Sequence, residues 1–182
     1  MKQNKAYCLT QAAAIAAVYV VLTFIANALG LSNGVIQVRF SEALTILPYF
    51  TPLAIPGLFA GCLISNLLTG CMPLDVIFGS IATLLGAAGT GLMAKAAGQW
   101  SFEPKTDSHN TGRLLKWLTP LPPIIANTLI VPFILAYVYQ FEGSIPYFML
   151  TVGAGEVVSC GILGMILLFT LQKYAHILFP KK

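Results

Sequence analysis

Charge is the scarcest property of this chain. Asp, Glu, Lys and Arg make up 9% of its 182 residues, against about 25% in an ordinary soluble domain. With 57% hydrophobic residues, a soluble fold of this length has too little interior to hide its apolar surface, so the bilayer is the expected solvent. Catalytic signatures are missing as well. There is no GxxxxGK[ST] loop to cradle phosphates, no HExxH metal helix, no GxSxG nucleophile turn and no helix carrying a row of arginines, which argues against nucleotide hydrolysis, zinc peptidase or serine hydrolase chemistry and voltage sensing. Only two histidines occur, His109 and His176, both in polar stretches. Cys8, Cys62, Cys71 and Cys160 lack CxxC spacing and read as small buried hydrophobes. Neither a metal nor an organic cofactor is expected.

What charge there is falls in a pattern. Nine of the ten basic residues lie in three clusters, Lys2/Lys5, Lys95 to Lys116 and Lys173 to Lys182, separated by long apolar stretches. Four of the six carboxylates, Glu42, Asp75, Glu142 and Glu156, fall between those clusters with Arg39. Basic residues of helical membrane proteins stay on the cytoplasmic side. An even number of spans therefore puts all nine clustered cations on one face, about +7 in net charge, and leaves about −3 in the opposite half. The overall +4 is then a topological signal and not a nucleic-acid signature.

The apolar stretches divide into six spans of an all-α bundle with both termini cytoplasmic, forming a single membrane-embedded domain over 1–182. The first runs from about Tyr7 to Leu29, too long for a signal-peptide core, and ends before the turn Ser32-Asn33-Gly34. Between Glu42 and Asp75 lie 32 uncharged residues, which as one helix would reach ~48 Å, against a hydrocarbon core of ~30 Å. Pro48, Pro52 and Pro56-Gly57 divide that run into a short second span, roughly Val38 to Phe50, and a third, roughly Ile55 to Leu68. A fourth descends from Asp75 or Ser80 to about Gly98, a polar loop covers 99–116, and the fifth and sixth occupy about Trp117 to Tyr139 and Tyr147 to Leu171.

Polar residues inside such spans are costly, and each needs an explanation. Glu156, in Gly153-Ala-Gly-Glu156, lies about 13 Å into the sixth span and either pairs with Arg39 or faces a ligand. Arg39 and Glu42 stand three residues apart, on one face of a helix; a local ion pair and a substrate site both fit. Asp75 reads as a helix cap or as a site residue, and Asn66 and Asn127 as interhelical hydrogen-bonding amides or as readers of a ligand. The convergence of Glu42, Asn66, Asp75 and Glu156 from four spans on one half favours a site. Tyr49, Phe50, Phe133, Tyr137 and Tyr147 are stacking faces or an interfacial belt. Ala12/Ala16 and Ala13/Ala17 each repeat small-xxx-small on the first span, a pattern that lets another helix approach closely.

Val38-Arg-Phe-Ser-Glu-Ala-Leu-Thr45, Ala54-Ile-Pro-Gly-Leu-Phe59 and Phe78-Gly-Ser-Ile-Ala-Thr-Leu-Leu85, extended by Asn127 and Gly153-Ala-Gly-Glu156, carry a resemblance from the first span to the sixth. By them the chain resembles the QueT family, the substrate-binding S-components of energy-coupling factor transporters for queuosine precursors. The resemblance implies a non-catalytic subunit of the plasma membrane that captures a 7-deazaguanine from outside. It also implies partners: a transmembrane T-component, docked by an AxxxA pattern on the first helix, and two cytoplasmic ATPases. Ala12, Ala13, Ala16 and Ala17 offer two frames for that docking. The expected substrate residues are Arg39, Glu42, Asn66, Asp75, Asn127, Tyr137 and Glu156. Glu42 and Glu156, in either order, would take the ring N–H/amine fork and the ammonium of an aminomethyl arm, Asn66 or Asn127 would read the carbonyl or remaining edges, and Arg39 would orient Glu42. Two other readings stay open: an S-component for a different vitamin-like substrate, and an autonomous proton-coupled carrier with Glu156 or Asp75 as relay.

Overall fold

A computed structural model describes residues 5–32, 37–100 and 109–178. Asn33-Gly34 of the expected turn and 101–108 of the polar loop expected over 99–116 lie outside the described residues, and from His109 onward that loop is helical. Within them every regular element is helical: α1 (Lys5–Ala28), a 3-10 helix (Phe40–Tyr49), α2 (Ala54–Leu68), α3 (Pro73–Ala96), α4 (His109–Leu118), α5 (Leu121–Tyr137) and α6 (Ile145–Glu156). The last of these runs through a π-helical turn (Val157–Leu163) into α7 (Gly164–Leu178). Four stretches are long and apolar enough to cross a membrane: Lys5–Ala28, Pro73–Ala96, Leu114–Tyr137 and Ile145–Ala175. The helix over Ala54–Leu68 is apolar but has only 15 residues.

Proline and glycine set the boundaries. Pro73 and Pro146 open α3 and α6 at first-turn positions, where no amide is lost. Gly70 (φ +75°) and Gly98 (φ +71°) end α2 and α3 in the left-handed region. There the amides of Cys71 and Gln99 reach back to the carbonyls of Asn66 and Ala94 at 3.0 and 2.9 Å.

The stretch expected as a short second span is a 3-10 helix at the centre of the fold, buried from Ser41 to Tyr49. Runs of this length are unusual for so tight a helix, and three features account for this one. Pro48 and Pro52 restrict the backbone on its exit side. Thr45 Oγ1 donates to the Glu42 carbonyl at 2.6 Å. The three-residue repeat also divides the side chains into three rows, each with its own neighbour. Leu44 and Leu47 pack with Ile15, Tyr19 and Leu58 of α1 and α2. Ile46 and Tyr49 meet Ala94 of α3 and Leu168 of α7. Glu42 and Thr45 turn toward the π-helical turn at Cys160.

Close helix approach relies on missing side chains. On α2, a Cβ at Gly57 would lie 2.7 Å from the Ala12 carbonyl, and one at Gly61 would lie 3.0 Å from that of Ala16. Ala12 and Ala16 are thus the α1 surface that packs on α2, whereas Ala13 and Ala17 on the same helix are exposed. On α3, Gly86 receives Pro123 of α5, where a Cβ would stand 2.6 Å from the proline Cα.

Candidate functional site

Glu42 occupies the centre, 1% exposed. Tyr19 Oη from α1 donates to its Oε1. Thr83 Oγ1 from α3 lies 3.1 Å from the same oxygen, and Asn127 Nδ2 from α5 lies 3.4 Å from Oε2. Three helices therefore aim donors at one carboxylate. Asn66 Nδ2 and Thr83 Oγ1 both contact Cys62 Sγ, at 3.6 and 3.4 Å, which continues the polar network toward the end of α2.

Glu156 is the second buried acid, 6% exposed. It ends α6 at the point where the helix widens into the π-helical turn, and such widenings often serve functional positions. The wider turn directs Ser159 and Cys160 to the centre as well. Cys160 Sγ lies 3.1 Å from Glu156 Oε2 and 3.4 Å from the Glu42 carbonyl oxygen. Ser159 Oγ accepts the Arg39 backbone amide at 3.1 Å. A Cβ on Gly155 would land on the Gln37 carbonyl, so glycine there lets α6 press on the extended segment before the central helix.

Donor atoms of Glu42, Glu156 and Cys160 lie within 4.8 Å of one another. That limit admits a metal centre, whose ligand atoms stand about 3.5 Å apart when bonds to the ion are about 2.0–2.3 Å, but the groups are engaged with one another. Glu42 Oε1 is also already engaged by two hydroxyls. The three groups form a hydrogen-bonded acid cluster. Two full negative charges within 4.8 Å would repel by at least about 3.5 kcal/mol at an effective dielectric of about 20.

Arg39 is a partly buried cation whose charge acts on Glu42, Glu156 and Asp75 without pairing directly with any of them. The helical Arg39–Glu42 pair expected from the spacing is absent because Arg39 precedes the helix on extended backbone (φ −103°, ψ 108°). Its guanidinium takes Gln37 Oε1 at 3.2 Å and makes no ion pair within 4 Å among the described residues. Together with Thr23, Asn27, Ser32, Asn66, Thr69 and Cys71, Arg39 lines a polar cavity of about 50 Å³. Asp75 stands near this end, 3% exposed. It caps no helix through its side chain; instead it accepts from Tyr139 Oη at 2.8 Å, and that oxygen in turn accepts the Met72 amide at 3.3 Å. Burial first, and then the hydrogen bond and charge of Asp75, push the Tyr139 phenol above its usual range, so it stays a donor throughout physiological pH.

Of the expected substrate residues, Glu42, Asn127 and Glu156 are thus gathered at the centre, while Arg39, Asn66 and Asp75 sit at one end of the same network. Tyr137 stands apart. It is 71% exposed and stacks on Phe133 (centroids 6.4 Å apart, planes 11° from parallel) along an apolar groove of about 330 Å³ that Phe78 also lines. Sequence reasoning missed Tyr19, Thr83 and Cys160. Helical spacing held the clue: Tyr19 continues the Ala12/Ala16 face, Thr83 the Asp75/Gly79 face, and Cys160 follows Glu156 by four residues.

No solved structure matches the chain. A curated relative does: over 85 residues it is 39% identical to the "Queuosine precursor transporter QueT" of Lactococcus lactis subsp. cremoris (strain MG1363). That match takes in 47% of this chain and about half, 50%, of the relative. The family described as QueT transporter matches residues 9–173, nearly the whole chain. With four helices of membrane-crossing length, this is a multi-pass membrane protein, and it belongs to the QueT transporter family.

Proposed function

We propose that the chain is the substrate-binding S-component of an energy-coupling factor importer, one domain over 1–182, which captures a queuosine precursor of the 7-deazaguanine type outside the cell. The observation that carries the reading is the meeting of Glu42 and Glu156, from separate helices, beside the Asn127 amide. A 7-deazaguanine presents a ring N–H and an exocyclic amine as a fork that a carboxylate accepts bidentately. Glu42 is oriented by Tyr19 and Thr83, and it takes the fork as a ligand donor replaces one of these hydroxyls on Oε1. Asn127 reads the carbonyl edge, and Glu156 faces the substituent arm. Arg39, Asn66 and Asp75 belong to the approach, around the polar cavity.

Because Glu42 and Glu156 are buried here, the site opens before a ligand enters. Chemistry is not part of the role: the subunit binds, and two ATPases coupled through a T-component supply the work. Ala13 and Ala17, exposed on α1, are the docking frame for that T-component; Ala12 and Ala16 are occupied by α2. In the plasma membrane six segments alternate, counting the central 3-10 helix, with both termini in the cytoplasm.

The test is mass spectrometry of small molecules that copurify with the protein. A deazapurine is expected; riboflavin or thiamin in its place would overturn the substrate class and leave an S-component for another vitamin. A proton-coupled carrier is the second reading, favoured by the closeness of two buried acids. Reconstituted liposomes separate the two. Uptake that needs T-component, ATPases and internal ATP supports the importer, and uptake by the chain alone under a proton gradient supports the carrier.

A further inference from the structure

We propose that the lysine-bearing end of the bundle, at the corner where α4 meets α7, holds the headgroup of an anionic phospholipid. The proposal rests on the chain being a multi-pass membrane protein and is independent of its substrate.

Helix directions gather the cations. The contacts of α2 on α1 advance together, Gly57 on Ala12 and Gly61 on Ala16, so these two helices run parallel. The turn after Leu68 sends α3 back. Against it runs α5, with Gly86 on Pro123 and, further along α3, Thr90 Oγ1 on the Thr119 carbonyl at 3.0 Å. The start of α1, the end of α3 and the start of α5 therefore share one end. Lys116 hydrogen-bonds Gln172 Oε1, which brings the later turns of α7 to the same end. Lys5, Lys95, Lys116 and Lys173 all lie there. The acids among the described residues do not: Asp75 opens α3 and Glu142 follows α5 at the opposite end, and Glu42 and Glu156 are interior. Over the whole sequence, nine bases against Glu103 and Asp107 leave this side at about +7.

At the α4–α7 corner this charge has a fixed place. The Lys116 ammonium stands 4.4 Å from the centre of the Phe169 ring, a cation–π contact, and gives one N–H to Gln172. An ammonium has three, and the other two have no partner among the described residues. Trp117, exposed, packs edge-on against the same ring at 5.3 Å. Lys173, exposed one residue past Gln172, lies 5.8 Å from the Tyr174 ring. Two ammonium groups thus border one corner, in the aromatic and basic surroundings of a membrane–water boundary.

Beyond them the surface is apolar. Ile166, three residues before Phe169, is exposed, and so are Leu121 and Ile125 past Trp117. A free phosphate would use the cations and leave these side chains unused. A phospholipid uses both, its phosphate among the ammonium groups and its acyl chains along α5 and α7.

Native mass spectrometry of the intact protein in detergent tests this, by titration with phosphatidylglycerol and with phosphatidylcholine of the same acyl chains. The expected preference for phosphatidylglycerol is about fivefold per lysine engaged, so roughly 25-fold with both. Lys116→Gln and Lys173→Gln each lower it about fivefold, the double variant abolishes it, and Lys116→Arg keeps it. Binding of phosphatidylcholine stays as in wild type throughout, which separates a lost headgroup contact from a damaged fold. If Lys116→Gln fails to fold, the wild-type preference and Lys173→Gln decide. Equal binding of the two lipids by the wild type overturns the proposal, as does a preference that survives in the double variant. Displacement of the lipid by inorganic phosphate at equal concentration also overturns it, since a free anion then suffices. Loss of the proposed T-component from the double variant, with no lipid preference in the wild type, overturns it as well and assigns this end to a protein partner.

Discussion

Tyr19, Thr83 and Asn127 differ in how much they contribute to Glu42. The Tyr19 hydroxyl is buried in a residue 1% exposed and donates to a carboxylate, a class of bond worth about 1.5–3 kcal/mol. Tyr19→Phe is therefore expected to lower the stability of the detergent-solubilised protein by about that amount, read by thermal or chemical unfolding, and to weaken ligand binding because Glu42 loses its fixed orientation. An unchanged melting temperature would mean that Tyr19 packs without holding Glu42. Glu42→Gln removes the charge that accepts the proposed fork, and loss of a charge-assisted bond of about 1.5–3 kcal/mol corresponds to roughly 10- to 150-fold weaker binding. Wild-type affinity in both Glu42→Gln and Glu156→Gln would refute the substrate assignment. Tyr139→Phe, at the edge of the network, leaves Asp75 without its phenolic donor; the expected loss is smaller, about 1 kcal/mol, measured by the same unfolding curves.

Elements were legible in the sequence to very different degrees. The apolar segments coincide with helices, four of them of membrane-crossing length, since proline, glycine and charge punctuate them openly. The last helix runs on to Leu178, past the expected Leu171, and α4 fills part of the expected polar loop. The conformation of the second segment was not legible. Phe40–Tyr49 carries no local signal that separates a 3-10 from an α-helix, and its shape follows from five neighbouring elements closing around it. For the same reason Arg39 was expected on the helix that it in fact precedes, and the partners of Glu42 were overlooked: near-uniform apolarity conceals which face of α1 or α3 turns inward. The π-helical turn after Glu156 is likewise a tertiary outcome. Its register depends on Gly155, where a methyl group would fall on the Gln37 carbonyl. Gly155→Ala is expected to cost about 1–3 kcal/mol by overpacking, with the displacement felt at Glu156 one residue on. Unfolding curves and ligand titration on this variant check both effects, and an unperturbed protein would show that α6 yields more easily than the contact implies.

For the whole molecule, α1 is the element with two assignments. Its Ala12/Ala16 face is consumed by Gly57 and Gly61 of α2, and its Ala13/Ala17 face is left outward. Ala16→Leu is expected to destabilise the isolated protein by about 1–3 kcal/mol. Ala17→Leu is expected to stay within about 0.5 kcal/mol of wild type while blocking capture by the proposed T-component, tagged for the purpose. Coexpression pull-downs and unfolding curves on both variants separate internal packing from docking. If Ala17→Leu assembles normally, the docking frame lies elsewhere. The central helix matters on this scale too, because it touches nearly every other element and any opening of the acid cluster displaces it. Trp100 donates its indole N–H to the Pro48 carbonyl at 3.2 Å, at the far end of that helix from Glu42. The protein thus carries a built-in optical reporter. With Trp117 replaced by Phe, the emission of the remaining indole would track the central rod as the chamber fills, allowing occupancy to be followed in real time without any added dye.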